Sequence, residues 1–137
     1  MTIFKEKKEI PSEISVTRNR KIKIMLSYIR QFWIDDISYT HSLYGSDFQN
    51  RRSFIEFFYQ NLKKVTKIVI IKNLVTKTLY LRNGILHNIH GAALIIRDTS
   101  NTKKKYFIDG RHYTEANFYK KIRSYKLYKV LFNIENS

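Results

Sequence analysis

His87, His90 and His112 are the side chains whose type and spacing come closest to a catalytic or metal-binding set in this chain. Imidazole changes charge nearest to neutral pH and is a common metal ligand. Two of the three, brought together by a strand and a turn, could hold a divalent ion or act as a general base. Other chemistry is scarce. Asp35, Asp36 and Asp47 are the acidic cluster of the first half, and they are expected to be a solvated loop. The four glycines stand apart at 45, 84, 91 and 110, so no glycine-rich loop can cradle a phosphate. The absence of cysteine removes thiol nucleophiles, disulfides and Cys-ligated zinc or iron–sulfur centres.

The run His87-Asn88-Ile89-His90 touches the pattern of a His-Asn-His nuclease, whose ββα unit uses a His base and a metal to cleave phosphodiesters. Here the helix expected after Thr114 supplies Glu115 and Asn117 but no further His. Metal-dependent nuclease chemistry is therefore the third reading, behind two binding functions. No catalytic residue, metal or other cofactor is expected, and His87, His90 and His112 stand as the only metal candidates.

The larger signal is positive charge interleaved with aromatic rings. The 137 residues carry 26 Lys and Arg against 11 Asp and Glu, a formal charge of +15. Residues 1–66 contribute +5 and residues 67–137 contribute +10. Such an excess attracts polyanions through a long-range field that salt weakens. In Lys103-Lys104-Lys105-Tyr106-Phe107, and again from Tyr119 to Lys129, cations are mixed with rings. That combination suits phosphate contacts together with base stacking on a single strand. The predicted nucleic-acid-binding residues are Lys103, Lys104, Lys105, Lys120, Lys121, Arg123 and Lys126, the last four on the solvent-facing arc of a helix. The bland alternative is a solvated lysine-rich face in a protein from an AT-rich genome, which the bias toward Lys, Ile, Asn and Tyr suggests.

The elements that must position these residues follow from periodicity. Residues 1–15 mix charges around Pro11 and predict a flexible N-terminal arm. Residues 16–137 are read as one domain, with a helical part over 16–66, a β-hairpin part over 67–113 and a helix and strand over 114–137. Ile22, Met25, Leu26, Ile29, Phe32 and Trp33 fall at helical spacing and predict an amphipathic helix from about Arg18. Ser38 to Gly45 reads as a loop. Ser46 is the expected cap of a second amphipathic helix ending near Lys64, with the stripe Phe48, Ile55, Phe58, Leu62 and Val65.

The period then changes. Ile68-Val69-Ile70-Ile71 is a buried-strand run. Strands are expected over 67–72, 76–82, 85–88, 92–97 and 103–109 as an antiparallel meander. Asn83-Gly84 and Asp109-Gly110 predict two-residue hairpin turns, because Gly, Asn and Asp tolerate positive φ. Thr114 caps a short third helix carrying Phe118, Ile122 and Tyr125, and the alternation of Tyr128, Val130, Phe132 and Ile134 predicts a last strand over about 127–134. The expected fold class is α+β: two N-terminal amphipathic helices, the meander, a short C-terminal helix and a final strand.

Tyr80 to His87 and Tyr106 to Tyr113 repeat one pattern 26 positions apart. With Asn83, Gly84, Leu86, His87, Gly91 and Ala93 in one copy and Tyr106, Asp109 and Gly110 opening the next, residues 78–118 resemble the short β-hairpin modules of bacteriophage and large-DNA-virus proteins. His90 and Ala92 stand where those modules usually have Asp and Pro. The second copy runs into a helix where the module continues with Gly-Pro-Ala. The resemblance implies a hairpin fold and a viral source, and it brings no catalytic residue.

The expected function is that of a small basic viral accessory protein binding DNA or RNA without catalysis. The alternative is a viral effector that binds and inhibits a host protein or nucleoprotein complex. Its anchors would be Trp33, Phe57 and Tyr59, drawn from a surplus of aromatics, twenty in all. No apolar run suits a membrane span or a leader, so no membrane insertion is expected and the host cell cytoplasm is the expected location. The open edges of a meander would also allow edge-to-edge homodimerisation.

Overall fold

β-branched runs and tight turns dominate the middle of the chain, and the secondary structure follows them. The computed structural model describes residues 13–15, 23–42 and 45–135. In chain order the strands are β1 (Glu13–Ser15), β2 (Lys23–Met25), β3 (Ile29–Ile34), β4 (Ile37–Ser42) and β5 (Gly45–Ser46). Helix α1 (Arg51–Gln60) follows, then β6 (Val65–Lys72), β7 (Val75–Arg82), β8 (Ile85–Leu86), β9 (Leu94–Arg97), β10 (Thr102–Ile108), β11 (Arg111–Tyr113) and helix α2 (Glu115–Glu135). One nine-stranded antiparallel sheet has the order β11-β10-β9-β7-β6-β3-β4-β5, with β8 paired to β7; β1 and β2 form a separate pair. Of the expected N-terminal arm, Glu13–Ser15 form β1 and the remainder lies outside the described residues.

The expectation of an α+β domain opening on two amphipathic helices is overturned: the described chain is mostly antiparallel strand, with two helices, one of them C-terminal. The segment expected as the first helix is β2, a 3-10 turn over Leu26–Tyr28, and β3. Two irregularities imitate helical spacing there. The 3-10 turn carries Leu26 to Ile29, three residues on. Between Ile29 and Gln31 the register slips by one residue against β6, a β-bulge that puts Ile29 and Phe32 on the same buried face. Buried positions at 26, 29 and 32 therefore arise without a helix.

The second helix is shorter than its expected span. Asn50, not Ser46, caps it, accepting a hydrogen bond from Ser53 N–H at 2.9 Å. Ser46 instead lies in β5 and Val65 in β6, and the loop expected over 38–45 holds most of β4. At the C-terminus the predicted last strand is helix: α2 runs unbroken from Glu115 to Glu135. Residues 115–135 contain no Gly or Pro to stop it, whereas a strand would have needed a sheet edge to pair with. Thr114 does cap α2, its Oγ1 accepting from Asn117 N–H at 3.2 Å.

Four two-residue links carry positive φ. Asn83 and Gly84 have φ of 54° and 75°, and Asp109 and Gly110 have 50° and 82°. Asp35 opens the β3–β4 link at 54°. The β6–β7 link is Asn73-Leu74, and Leu74 sits at φ 63° with 81% of its surface exposed. A left-handed leucine costs about 1–2 kcal/mol and here gains no packing in return. Leu74→Gly, which completes an Asn-Gly hairpin turn, is expected to raise stability by about 1 kcal/mol, read as a higher urea midpoint with an unchanged slope.

The sheet has two unlike faces. On one, Phe54, Ile55 and Phe58 of α1 share a single buried cluster with Phe32, Ile68, Leu79, Leu81, Leu86, Leu94 and Phe107. On the other, α2 buries Phe118 and Ile122 with Tyr106 and Ala92 at the β10–β11 end, with Ile95, Ile108 and Tyr113 at the margin. On the second face over β3, β6 and β7, where Gln31, Trp33, Lys67, Val69, Ile71, Thr76, Thr78 and Tyr80 are all half-buried, the two core clusters place no described side chain of either helix.

Candidate functional site

Register across the sheet decides which cations share a surface, because residues paired in neighbouring strands point to the same side. One row reads Gln31, Val69, Thr78, Ile95 and Lys104. The row beside it reads Trp33, Lys67 and Tyr80, and a third reads Ile71, Thr76, Arg97 and Thr102. All three lie on the face opposite α1. The opposite face holds Phe32, Ile68, Leu79, Leu94 and Lys105 in one row and Ile70, Lys77, Ile96 and Lys103 in another. The lysine triplet is therefore divided: Lys104 belongs to the face opposite α1, while Lys103 and Lys105 belong to the α1 face.

Helix geometry divides the second basic segment in the same way. Phe118 and Ile122 define the buried side of α2. Tyr119, Arg123 and Lys126 stand at i, i+4 and i+7, one flank of the helix, whereas Lys120 points away from the sheet and Lys121 takes the other flank. All four of these cations are exposed. Of the seven predicted residues, Lys104, Arg123 and Lys126 can thus serve one surface.

Tyr119 links that flank to the sheet. It lines a cleft of about 550 Å³ together with Tyr80, Asn88, His90, Gly91, Ala92, Ile95, Lys104 and Tyr106. The Tyr106 and Tyr119 rings lie 6.0 Å apart, edge to face. Tyr106 is buried and its hydroxyl donates to Glu115 Oε2 at 3.0 Å. Burial, reinforced by that carboxylate, pushes the phenol up to about 12, so it stays neutral. The loop wall is held by Asn88, whose Nδ2 donates to Ala92 O at 2.9 Å and whose Oδ1 accepts from His90 N–H at 2.9 Å.

Beyond the cleft, Lys67 Nζ sits 4.5 Å from the Trp33 ring centroid and 5.4 Å from that of Tyr80. This cation between two rings was not among the residues singled out by sequence, since it falls between the helical and basic segments. Its signal was the strand pattern of β6, which alternates Lys67 with the buried Ile68. Of the three aromatic anchors expected for a protein partner, Trp33 is on the face opposite α1, Phe57 packs on the α1 core with its ring 4.9 Å from Tyr39, and Tyr59 is exposed.

The histidines do not converge. His90 lines the cleft, and His112 packs its ring 5.0 Å from that of Phe107. His87 joins the two repeat turns: its Nδ1 accepts from Asp109 N–H at 3.0 Å, Arg82 pairs with the Asp109 carboxylate, and Gly110 N–H donates to Leu86 O at 2.8 Å. Among the described residues no group of three or more His, Asp and Glu side chains is placed to hold a metal ion. The described residues also include no helix long and apolar enough to cross a membrane.

Burial, and then Arg82, hold the His87 imidazole below its ordinary value, outweighing Asp109. The folded state therefore prefers neutral His87. Its contribution is complete above the unfolded value of about 6.5 and is lost as pH falls through the folded value. Protonation also places a hydrogen on the nitrogen that now accepts from Asp109. His87→Gln is expected to melt below the parent at pH 7.5 in about 0.1 M salt, with the gap narrowing toward pH 5; thermal melts of both proteins across that range check it.

No family model, curated protein or solved structure matches the chain.

Proposed function

We propose that the chain binds single-stranded nucleic acid along the sheet face opposite α1 and the adjoining flank of α2, without catalysing a reaction. The observation that carries this reading is the coincidence of rings and cations on one side: Trp33, Lys67 and Tyr80 in one cross-strand row, Lys104 ending the next, and Tyr119, Arg123 and Lys126 along the helix that borders them. Half-exposed aromatic rings on a sheet give bases a stacking surface that tolerates any sequence, and the neighbouring cations neutralise the backbone. The net charge of +15 supplies the attraction at long range. A viral accessory role is supported by the hairpin resemblance of residues 78–118 alone.

Trp33 is the only tryptophan and lies on the proposed surface, so its fluorescence reports binding directly. Titration with oligo-dT and oligo-U is expected to quench it, with a duplex of equal length binding more weakly. With four phosphates contacted by Lys67, Lys104, Arg123 and Lys126, affinity for the single strand should fall about 50-fold between about 50 and about 200 mM salt. Binding indifferent to salt, or no binding, would sink the reading.

A further inference from the structure

We propose that the cleft between β7, β10 and α2 is a pocket for one nucleoside monophosphate unit, taking the base among Tyr80, Tyr106 and Tyr119 and the phosphate at Lys104. It rests on the strand-binding reading only for the source of that unit, which could also be a free nucleotide. The volume of about 550 Å³ falls in the range of small-ligand sites, roughly 300–1,000 Å³. Three tyrosines from three elements line it, and no Asp or Glu is among the described lining residues. Glu115, 3.0 Å from the hydroxyl of the lining Tyr106, is held by that hydrogen bond.

The walls are preorganised, and the groups left over are the ones a nucleotide needs. Asn88 spends its amide on Ala92 and His90 N–H, and Tyr106 spends its hydroxyl on Glu115. Lys104 is exposed and has no carboxylate partner among the described residues. The His90 side chain, also exposed, stands on the loop wall beside Gly91. Neutral rings offer stacking, while the ammonium and the imidazole offer donors to a phosphate. Order in the free state lowers the cost of binding.

Gly91 provides a test that spares the fold. It lines the cleft at an ordinary backbone angle, and a Cβ there would meet nothing within 4 Å. Gly91→Leu should therefore fill the opening without strain. Calorimetric titration of the full chain with AMP, UMP, adenosine and inorganic phosphate is the experiment. Both nucleotides are expected to bind about tenfold or more tightly than adenosine or phosphate alone, since only they engage rings and cation together. Gly91→Leu should abolish this at an unchanged melting temperature, and Lys104→Glu should weaken it at least about tenfold. Should oligo-dT bind while AMP and UMP do not, or should Gly91→Leu leave nucleotide binding intact, the pocket is overturned and the strand-binding reading stands. Nucleotides binding with no strand binding would support the pocket and remove the other reading.

Discussion

Replacing Lys104, Arg123 and Lys126 together by Glu is expected to weaken single-strand binding by about 100-fold or more, and to flatten the slope of log affinity against log salt by about 2. The size follows from counterion release, about 0.7 of slope for each phosphate neutralised on a single strand, so three lost contacts account for it. Reversing Lys103 and Lys105 instead should change affinity by less than about threefold. Lys103, Lys104 and Lys105 form one run of three, yet Lys104 pairs with Ile95 on the face opposite α1 whereas Lys103 pairs with Ile96 and Lys105 with Leu94 on the face that α1 covers. A simple attraction to net charge would make the two sets equivalent per charge removed. Anisotropy of a labelled single strand at several salt concentrations separates the cases, and equal losses per charge reversed would mean that the face plays no part.

Phe32→Ala is expected to cost about 3–5 kcal/mol and to lower the melting temperature by on the order of 10–15 °C. Phe32 has no exposed surface and its ring contacts those of Phe54, Phe57, Phe58 and Tyr39 at centroid distances of 5.2–6.1 Å. These rings join β3 and β4 to α1, so truncation leaves a cavity between that helix and the sheet's first strands. Domains of this kind are stable by about 5–15 kcal/mol in all, and Phe32→Leu, which keeps most of the volume, should cost less than half as much. The next residue gives the contrast. Trp33→Ala removes a half-exposed ring from the opposite face and should cost about 1 kcal/mol or less in stability while lowering single-strand affinity. Urea unfolding and strand titration of the two variants test whether the adjacent side chains divide between core and surface in this way.

Local rules account for what was legible in the sequence. Asn83-Gly84 and Asp109-Gly110 adopt positive φ because those residues tolerate it wherever the fold places them. The strands expected over 67–72, 76–82 and 103–109 lie close to β6, β7 and β10, since alternation and β-branching are properties of a segment and its two faces. Thr114 could be read as a helix cap because a cap needs only the next three residues.

Tertiary structure decided the rest, and the reason in each case is contact with residues distant in the chain. Buried positions at 26, 29 and 32 fit a helix as well as a 3-10 turn followed by a bulged strand, and only pairing of β3 with β6 selects the second. The alternation of residues 128–134 fits a strand, but a helix satisfies its backbone within itself and runs on to Glu135. The number and position of the lysines were written in the sequence. Which of them share a surface with Trp33, Tyr80 and Tyr119 was set by register across the strands and by the side of α2 that Phe118 and Ile122 bury, so the cleft exists only once those pairings are made.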